Sequence, residues 1–386
     1  MTFRLSTCCI LAATLTLPVA APQAIELYGT AHVSLDGINN GDGEILVGDE
    51  TVAAKKNALV ISSNKSYIGL RGREGLRERL SLIWQYEQGV DLDDGEWSEG
   101  RDSYVGLDGR MGTLLAGRHV TPYRRMTDRL DIFHNTRADH SAVLGAVNRE
   151  SRINESRINE SLFNERARNT LYYATPENRR LRFGLAYVAA RDHDTLPRDQ
   201  RTSDRNGLSA SLVFDSGPLY LGIGWELLGQ DETEFADDAE AVKLAFAWDF
   251  GQGTRASLIW EDADDGSRIG GRKGSREAWY AALSHVSGNF TWKLAYGVLD
   301  DLAHTADSGA QSVALGFSWA MSPRTELYLL GATMLNDDNA VYGLQPDHDD
   351  RGPDDARNAR GVPAAAAGEN VLLLSVGLIH RFRLDL

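Results

Sequence analysis

Cysteine is nearly absent from this sequence: Cys8 and Cys9 are the two in 386 residues, and both stand close to the N-terminus. Beyond them no disulfide, thiolate metal site or cysteine nucleophile can be built, and such a chain suits passage through an oxidising compartment. Long apolar runs are equally scarce. The longest, residues 11–21, is too short to cross a bilayer as a helix. With 25% charged residues, nothing else in the chain competes for that role. Positive charge is in deficit as well: 40 lysines and arginines against 55 acids leave a formal −15. That balance argues against nucleic acid as a partner, because phosphate binding runs on an excess of cations.

Arg4, the apolar run and the small residues Ala20, Ala21 and Ala24 follow the order of a secretory leader. Residues 1–24 are therefore expected to be a signal peptide and residues 25–386 the exported domain, whose charge is about −16 once Arg4 is removed from the −15. The acids gather in short runs, among them 231–240, 261–265 and 347–355, as solvated loops do.

Alternation is what the chain has in abundance. Leu219, Leu221, Ile223, Trp225 and Leu227 share one face of an extended segment whose other face carries Tyr220, Gly222, Gly224 and Glu226. The same pattern runs through 242–250, 290–298 and 313–321. A period of two marks β-strands. Soluble sandwiches alternate too, but they pack Val, Ile and Leu of facing sheets against each other. Here many strands carry Trp, Tyr or Phe near an end of the apolar face, where an interfacial girdle would lie, and the opposite face is small or polar, as a water-filled lumen permits.

Sixteen such segments can be marked: 25–36, 59–73, 77–91, 101–109, 112–120, 166–176, 180–191, 206–215, 218–230, 241–250, 253–263, 277–286, 289–300, 311–321, 324–336 and 370–382. Most have about the length of a tilted membrane strand. Short turns such as Ser216-Gly217 and Ser322-Pro323 alternate with long acidic connections. An even number of strands brings both ends to the short-turn rim, so the first can pair with the last and leave no edge open to lipid. The expected fold is all-β, a 16-stranded antiparallel transmembrane β-barrel.

Local motifs then point to a family. Leu27-Tyr28-Gly29-Thr30, Tyr67-Ile68-Gly69-Leu70-Arg71-Gly72, Tyr104-Val105-Gly106-Leu107, the stretch 117–123 (Gly-Arg-His-Val-Thr-Pro-Tyr), Asn169-Thr170-Leu171-Tyr172-Tyr173 and His380-Arg381-Phe382 occur in an order and spacing that resembles the general trimeric porins of Gram-negative bacteria. The resemblance spans nearly the whole chain after the leader. It implies short periplasmic turns, long extracellular loops and a third loop, about 121–165, folded into the barrel. It also implies a homotrimer in outer-membrane lipid, inserted by the barrel-assembly machinery, through which ions and small hydrophilic solutes diffuse passively.

In that family the loop's acids face basic residues on the wall, and the field between them orders water across the constriction. The resemblance places Arg71, Arg118 and Arg166 on the wall and Asp128 and Asp131 in the loop. Tyr67 and Tyr104 stand where relatives often carry wall arginines. With those two companions gone and the chain strongly acidic, weak cation selectivity is expected. The chain departs from the family in a tandem repeat at 151–165 and in Arg383-Leu384-Asp385-Leu386 after Phe382. A solute-specific channel for a sugar, phosphate or carboxylate is the nearest alternative. An outer-membrane enzyme is a more distant one, since no nucleophile motif or paired catalytic spacing accompanies the nine histidines. No cofactor or metal is expected.

Overall fold

The computed structural model describes residues 24–41, 44–47, 50–53, 57–150, 157–161, 163–164, 166–189, 206–229, 237–344 and 366–385. All but Ala24 of the expected leader at 1–24, and the acidic run at 347–355, lie outside the described residues. Sixteen strands make the wall: β1 (Ala24–Asn39), β2 (Asn57–Ser63 then Tyr67–Arg77), β3 (Leu80–Asp91), β4 (Glu96–Gly100 then Ser103–Gly109), β5 (Gly112–Val120), β6 (Arg166–Ala174), β7 (Leu181–Val188), β8 (Gly207–Asp215), β9 (Leu219–Leu228), β10 (Ala239–Gly251), β11 (Thr254–Ile269), β12 (Arg272–Ser287), β13 (Phe290–Leu299), β14 (Ala310–Ser322), β15 (Thr325–Asn336) and β16 (Val371–Asp385). Each pairs antiparallel with its neighbours, and β1 pairs with β16 from Glu26↔Asp385 to Asn39↔Leu372. Closure satisfies every ladder group that lipid could not.

The period-two reading sets inside from outside correctly. Leu244, Phe246 and Trp248 of β10 are exposed on the outer face, whereas Ala241, Ala245 and Ala247 point inward. The residues after Phe382 do not fray: Arg383, Leu384 and Asp385 extend β16 opposite Tyr28, Leu27 and Glu26, with Leu384 outward. Some connections differ from expectation. The first turn lies at 78–79 rather than 74–76, and Glu96–Gly100 pairs back onto β3, leaving 92–95 between them where 92–100 was expected. The segment 264–276 is not a long loop. β11 and β12 run on past the expected ends and meet at Gly270-Gly271, with φ of 58° and 80°, the positive pair that a two-residue hairpin demands.

The larger correction concerns the inner face, whose small residues are not water-lined around the barrel. Between β5 and β6 the chain enters the lumen as a helix, α1 (Pro122–Asp128), capped by Thr121, then a short 3₁₀ turn at His140–Ala142 and a hairpin of Ala146–Glu150 with Arg157–Ser161. The first half of the 151–165 repeat lies outside the described residues. Met126, Leu130, Phe133, Val143 and Leu144 of this loop are buried against Tyr220, Ala245, Ala247, Ile259, Ala278, Ala282, Ala295 and Ala314 of β9–β14. Tyr123 and Phe163 do the same against Ala239, Ala241 and Ala263. Each loop side chain buried this way contributes about 1.5–3 kcal/mol. Two glycines permit the closest approach: a Cβ on Gly297 would stand 3.4 Å from Val143 Cβ, and one on Gly316 would crowd the Phe133 ring at 2.5 Å.

Two substitutions on adjacent residues test this arrangement. Leu244→Arg faces lipid and should cost about 2–4 kcal/mol if it lies near the midplane, read as a lower unfolding midpoint. Ala245→Arg has no room beneath Met126 and should lift the loop, exposing its arginines to trypsin while the barrel persists. A loop that stays protected in Ala245→Arg would contradict the dry interface.

Candidate pore constriction

Loop 3 is held by charges as well as by packing. At its start, Tyr123 donates its hydroxyl to Glu261 (2.7 Å), and the ammonium of Lys243, fully buried, sits 3.5 Å from the same carboxylate and 3.9 Å from the Tyr123 ring centre. On its return, Gly145 N–H donates to the other Glu261 oxygen (2.5 Å) and Arg276 donates to Val143 C=O (3.2 Å). At its tip, Arg137 reaches the far wall. Its Nε lies 3.1 Å from Asp36 of β1 and its Nη2 donates to Ser62 of β2 (2.8 Å), while Ser62 donates to the same Asp36 oxygen (2.7 Å). Arg137 and Asp36 are both buried. Breaking a buried pair of this kind costs about 3–5 kcal/mol when one partner is removed, because the other charge is stranded.

Among the described residues, a cavity of about 320 Å³ lies between the tip and the wall of β1, β2 and β13–β16, with Tyr67, Lys293, Glu326, Arg381 and, from the break in β4, Arg101 on the wall and Phe133 to Thr136 on the loop. Arg71 lines the lumen below it, 2.6 Å from Glu26, with its guanidinium 4.7 Å from the Tyr28 ring centre. Tyr67 also faces inward and is covered by the Arg101 guanidinium at 4.5 Å, so a wall arginine is present at this level from a neighbouring strand junction. Tyr104 is inward too, donating to Gln85 (3.2 Å) and edge-on to His119. Arg166 is bonded to Asp102 at 2.6 Å.

Two expected site residues point elsewhere. Arg118 shares the outward parity of Leu114 and Ala116 and is paired with Glu99, which Arg168 also approaches at 3.5 Å. Asp131 is fully buried beneath the loop, accepting from Phe133 N–H (3.0 Å) and His140 N–H (3.3 Å). Burial, and then the neighbouring Asp139 carboxylate, push Asp131 above the usual carboxylate range. Asp128 is partly exposed and makes a helical pair with Arg124 at 3.4 Å. Sequence reasoning missed Arg101, Arg137, Arg381 and Arg383, the last 2.9 Å from the Glu26 carboxylate that Arg71 also meets. The last two were within reach, since they alternate with outward His380, Phe382 and Leu384; Arg137 carries no local pattern.

A family description, Gram-negative porin, matches residues 7–339. The chain belongs to the Gram-negative porin family. Outer membrane porin protein 32 of Delftia acidovorans is 28% identical over 375 residues, covering 94% of this chain and 95% of that one. Major outer membrane protein P.IA of Neisseria meningitidis is 34% identical over 131 residues, 30% of this chain and 33% of that one. Among solved structures, the anion-selective porin from Comamonas acidovorans superposes with a TM-score of 0.71 at 21% identity, covering 93% of this chain and 100% of that one. Salmonella typhi OmpF in complex with daunomycin gives 0.60 at 13%, covering 93% and 97%. This porin is an outer-membrane channel built on a closed 16-stranded barrel.

The tip anchor yields a direct expectation. Arg137→Ala strands Asp36 and should release the tip, seen as greater open-channel current noise in planar bilayers. Pairing Arg137→Met with Asp36→Leu removes both charges and should restore a quiet channel. Wild-type noise in Arg137→Ala would show that the buried pair does not hold the tip.

Proposed function

We propose that this porin is a general diffusion pore for small hydrophilic solutes with a preference for anions at its constriction. The observation that carries this is the unequal exposure of lumen ion pairs. Arg71 is 45% exposed against 13% for Glu26, Arg381 55% against 23% for Glu326, Arg129 41% against 14% for Asp215, and Arg73 58% against 30% for Asp108. The guanidinium meets the passing solute while the carboxylate lies behind it. Arg125–Glu177 is the reverse, with Glu177 80% exposed, and Lys293–Glu326 (21% and 23%) and Arg166–Asp102 (15% and 18%) are even.

Weak cation selectivity, expected from net charge, therefore loses its footing. Acid in distant loops is screened within about 10 Å at 0.1 M salt, whereas an arginine at the narrowest section acts on every ion that passes. The anion selectivity named for the Comamonas acidovorans structure is in keeping with this reading. A homotrimer is proposed as well, supported by the trimer form in which OmpT of Vibrio cholerae has been solved, TM-score 0.59 at 14% identity.

Reversal potentials in a salt gradient across a bilayer test the preference. Anions should cross more readily than cations, and Arg71→Gln with Arg381→Gln should lower the anion-to-cation permeability ratio by roughly 2- to 5-fold, as each lost charge acts on a passing ion with about 0.15 kcal/mol at about 10 Å in screened water, with opposite sign for anion and cation. Cation preference in the unaltered channel would overturn the proposal.

A further inference from the structure

Near the tip of loop 3, four side chains meet, one of which, His134, also lines the cavity. Asp131, Asp139 and His140 are buried, and His134 reaches the lumen with 41% of its side chain exposed. His134 Nδ1 lies 3.7 Å from Asp131 Oδ2 and 3.6 Å from Asp139 Oδ2. His140 Nδ1 lies 3.6 Å from Asp131 Oδ2 and 3.3 Å from Asp139 Oδ1. The donor atoms of Asp131, Asp139 and His140 all stand within 4.8 Å of one another.

His140 Nδ1 and Asp139 Oδ1, at 3.3 Å, make a hydrogen bond, and the other three separations, at 3.6–3.7 Å, are long for charge-assisted hydrogen bonds, which fall near about 2.7–2.9 Å. They fit the edge between ligands of a four-coordinate ion: bonds of about 2.0–2.1 Å at tetrahedral angles set donors about 3.3–3.4 Å apart. Two carboxylates buried side by side also call for more than one positive charge, and a dication supplies it at a single point. The carboxylates are already oriented. Phe133 N–H holds Asp131 Oδ1, while His140 N–H on Asp131 Oδ2, Asn135 N–H on Asp139 Oδ2 (2.8 Å), and Ser141 N–H (3.0 Å) and hydroxyl (2.7 Å) on Asp139 Oδ1 bond the same oxygens that face the imidazoles, hydrogen bonds of the kind that ligating carboxylates commonly have.

We propose that Asp131, Asp139 and His140, completed by His134 from the lumen side, bind a zinc-type transition-metal dication. The pair of imidazoles sets the class, since calcium and magnesium take oxygen ligands. His134 is the one ligand open to water and marks the entry. An ion there ties residue 131 to residue 140, the turn that carries the loop's contribution to the constriction.

Binding is measurable without reference to permeation. The porin, stripped with chelator and folded in detergent, should take up one equivalent of Zn²⁺ per chain with a raised unfolding temperature, and none of Mg²⁺. Co²⁺ in its place should give the intense visible absorption of a four-coordinate site. His134→Ala, lumen-exposed and spared by the fold, should weaken Zn²⁺ binding about 10-fold or more, and His140→Gln should abolish it. Absence of saturable Zn²⁺ uptake by the unaltered chain would overturn the proposal and leave the four residues a hydrogen-bonded turn. So would wild-type affinity in His134→Ala, which remains a valid test even if His140→Gln fails to fold.

Discussion

The contact on which the rest of this porin depends is the dry one between loop 3 and the alanine- and glycine-rich inner face of β9–β14. A barrel of sixteen strands is wide enough for a large aqueous channel. It becomes a narrow one because Met126, Leu130, Phe133, Val143 and Leu144 find small residues opposite them and stay buried. Large side chains on that part of the wall would hold the loop off. The outer face meets lipid through its Leu, Phe and Trp, and the inner face is divided into a covered arc and a wet one.

Charge follows the same division. In the covered arc, Lys243, Glu261 and Arg276 are buried and spent on the loop's backbone and on Tyr123. Arg137 and Asp36 do the same at the tip, across the lumen from where the loop begins. In the wet arc Arg71 and Arg381 are more exposed than their partners Glu26 and Glu326, although the chain as a whole is acidic. Net charge and channel charge are different quantities, and only the charges at the constriction bear on permeation at close range.

Strand number, parity and closure were legible in the sequence because each is local: alternation within ten residues fixes a face, and turn residues fix the rims. Leu244 and Ala245 were sorted to opposite faces on that basis alone. Whether the inner face is wet was not legible, because the cover comes from far away in the chain. Gly145 and Glu261, which touch, are 116 residues apart, and Arg137 and Asp36 are 101 apart. Asp131 illustrates the limit. Family likeness could place it in the loop but not say which way its carboxylate turns, and it turns inward to the loop's own backbone. Tyr67 is the converse case: the Arg101 guanidinium, from the break in β4, lies over its ring, a contact made between residues far apart in the chain.

The placement of loop 3 on the wall can be tested with a single covalent link. No cysteine occurs after Cys9, so Val143→Cys with Gly297→Cys supplies the only thiols of residues 24–386. A Cβ on Gly297 would lie 3.4 Å from Val143 Cβ, close to the roughly 3.5–4.5 Å that a disulfide spans. Oxidation should link the pair in nearly every chain and leave single-channel conductance as it is in the reduced form, because the bond only records a contact already made. A pair that resists oxidation, or a conductance that falls when the link closes, would mean that the loop rests elsewhere and that the dry arc is not what shapes the pore.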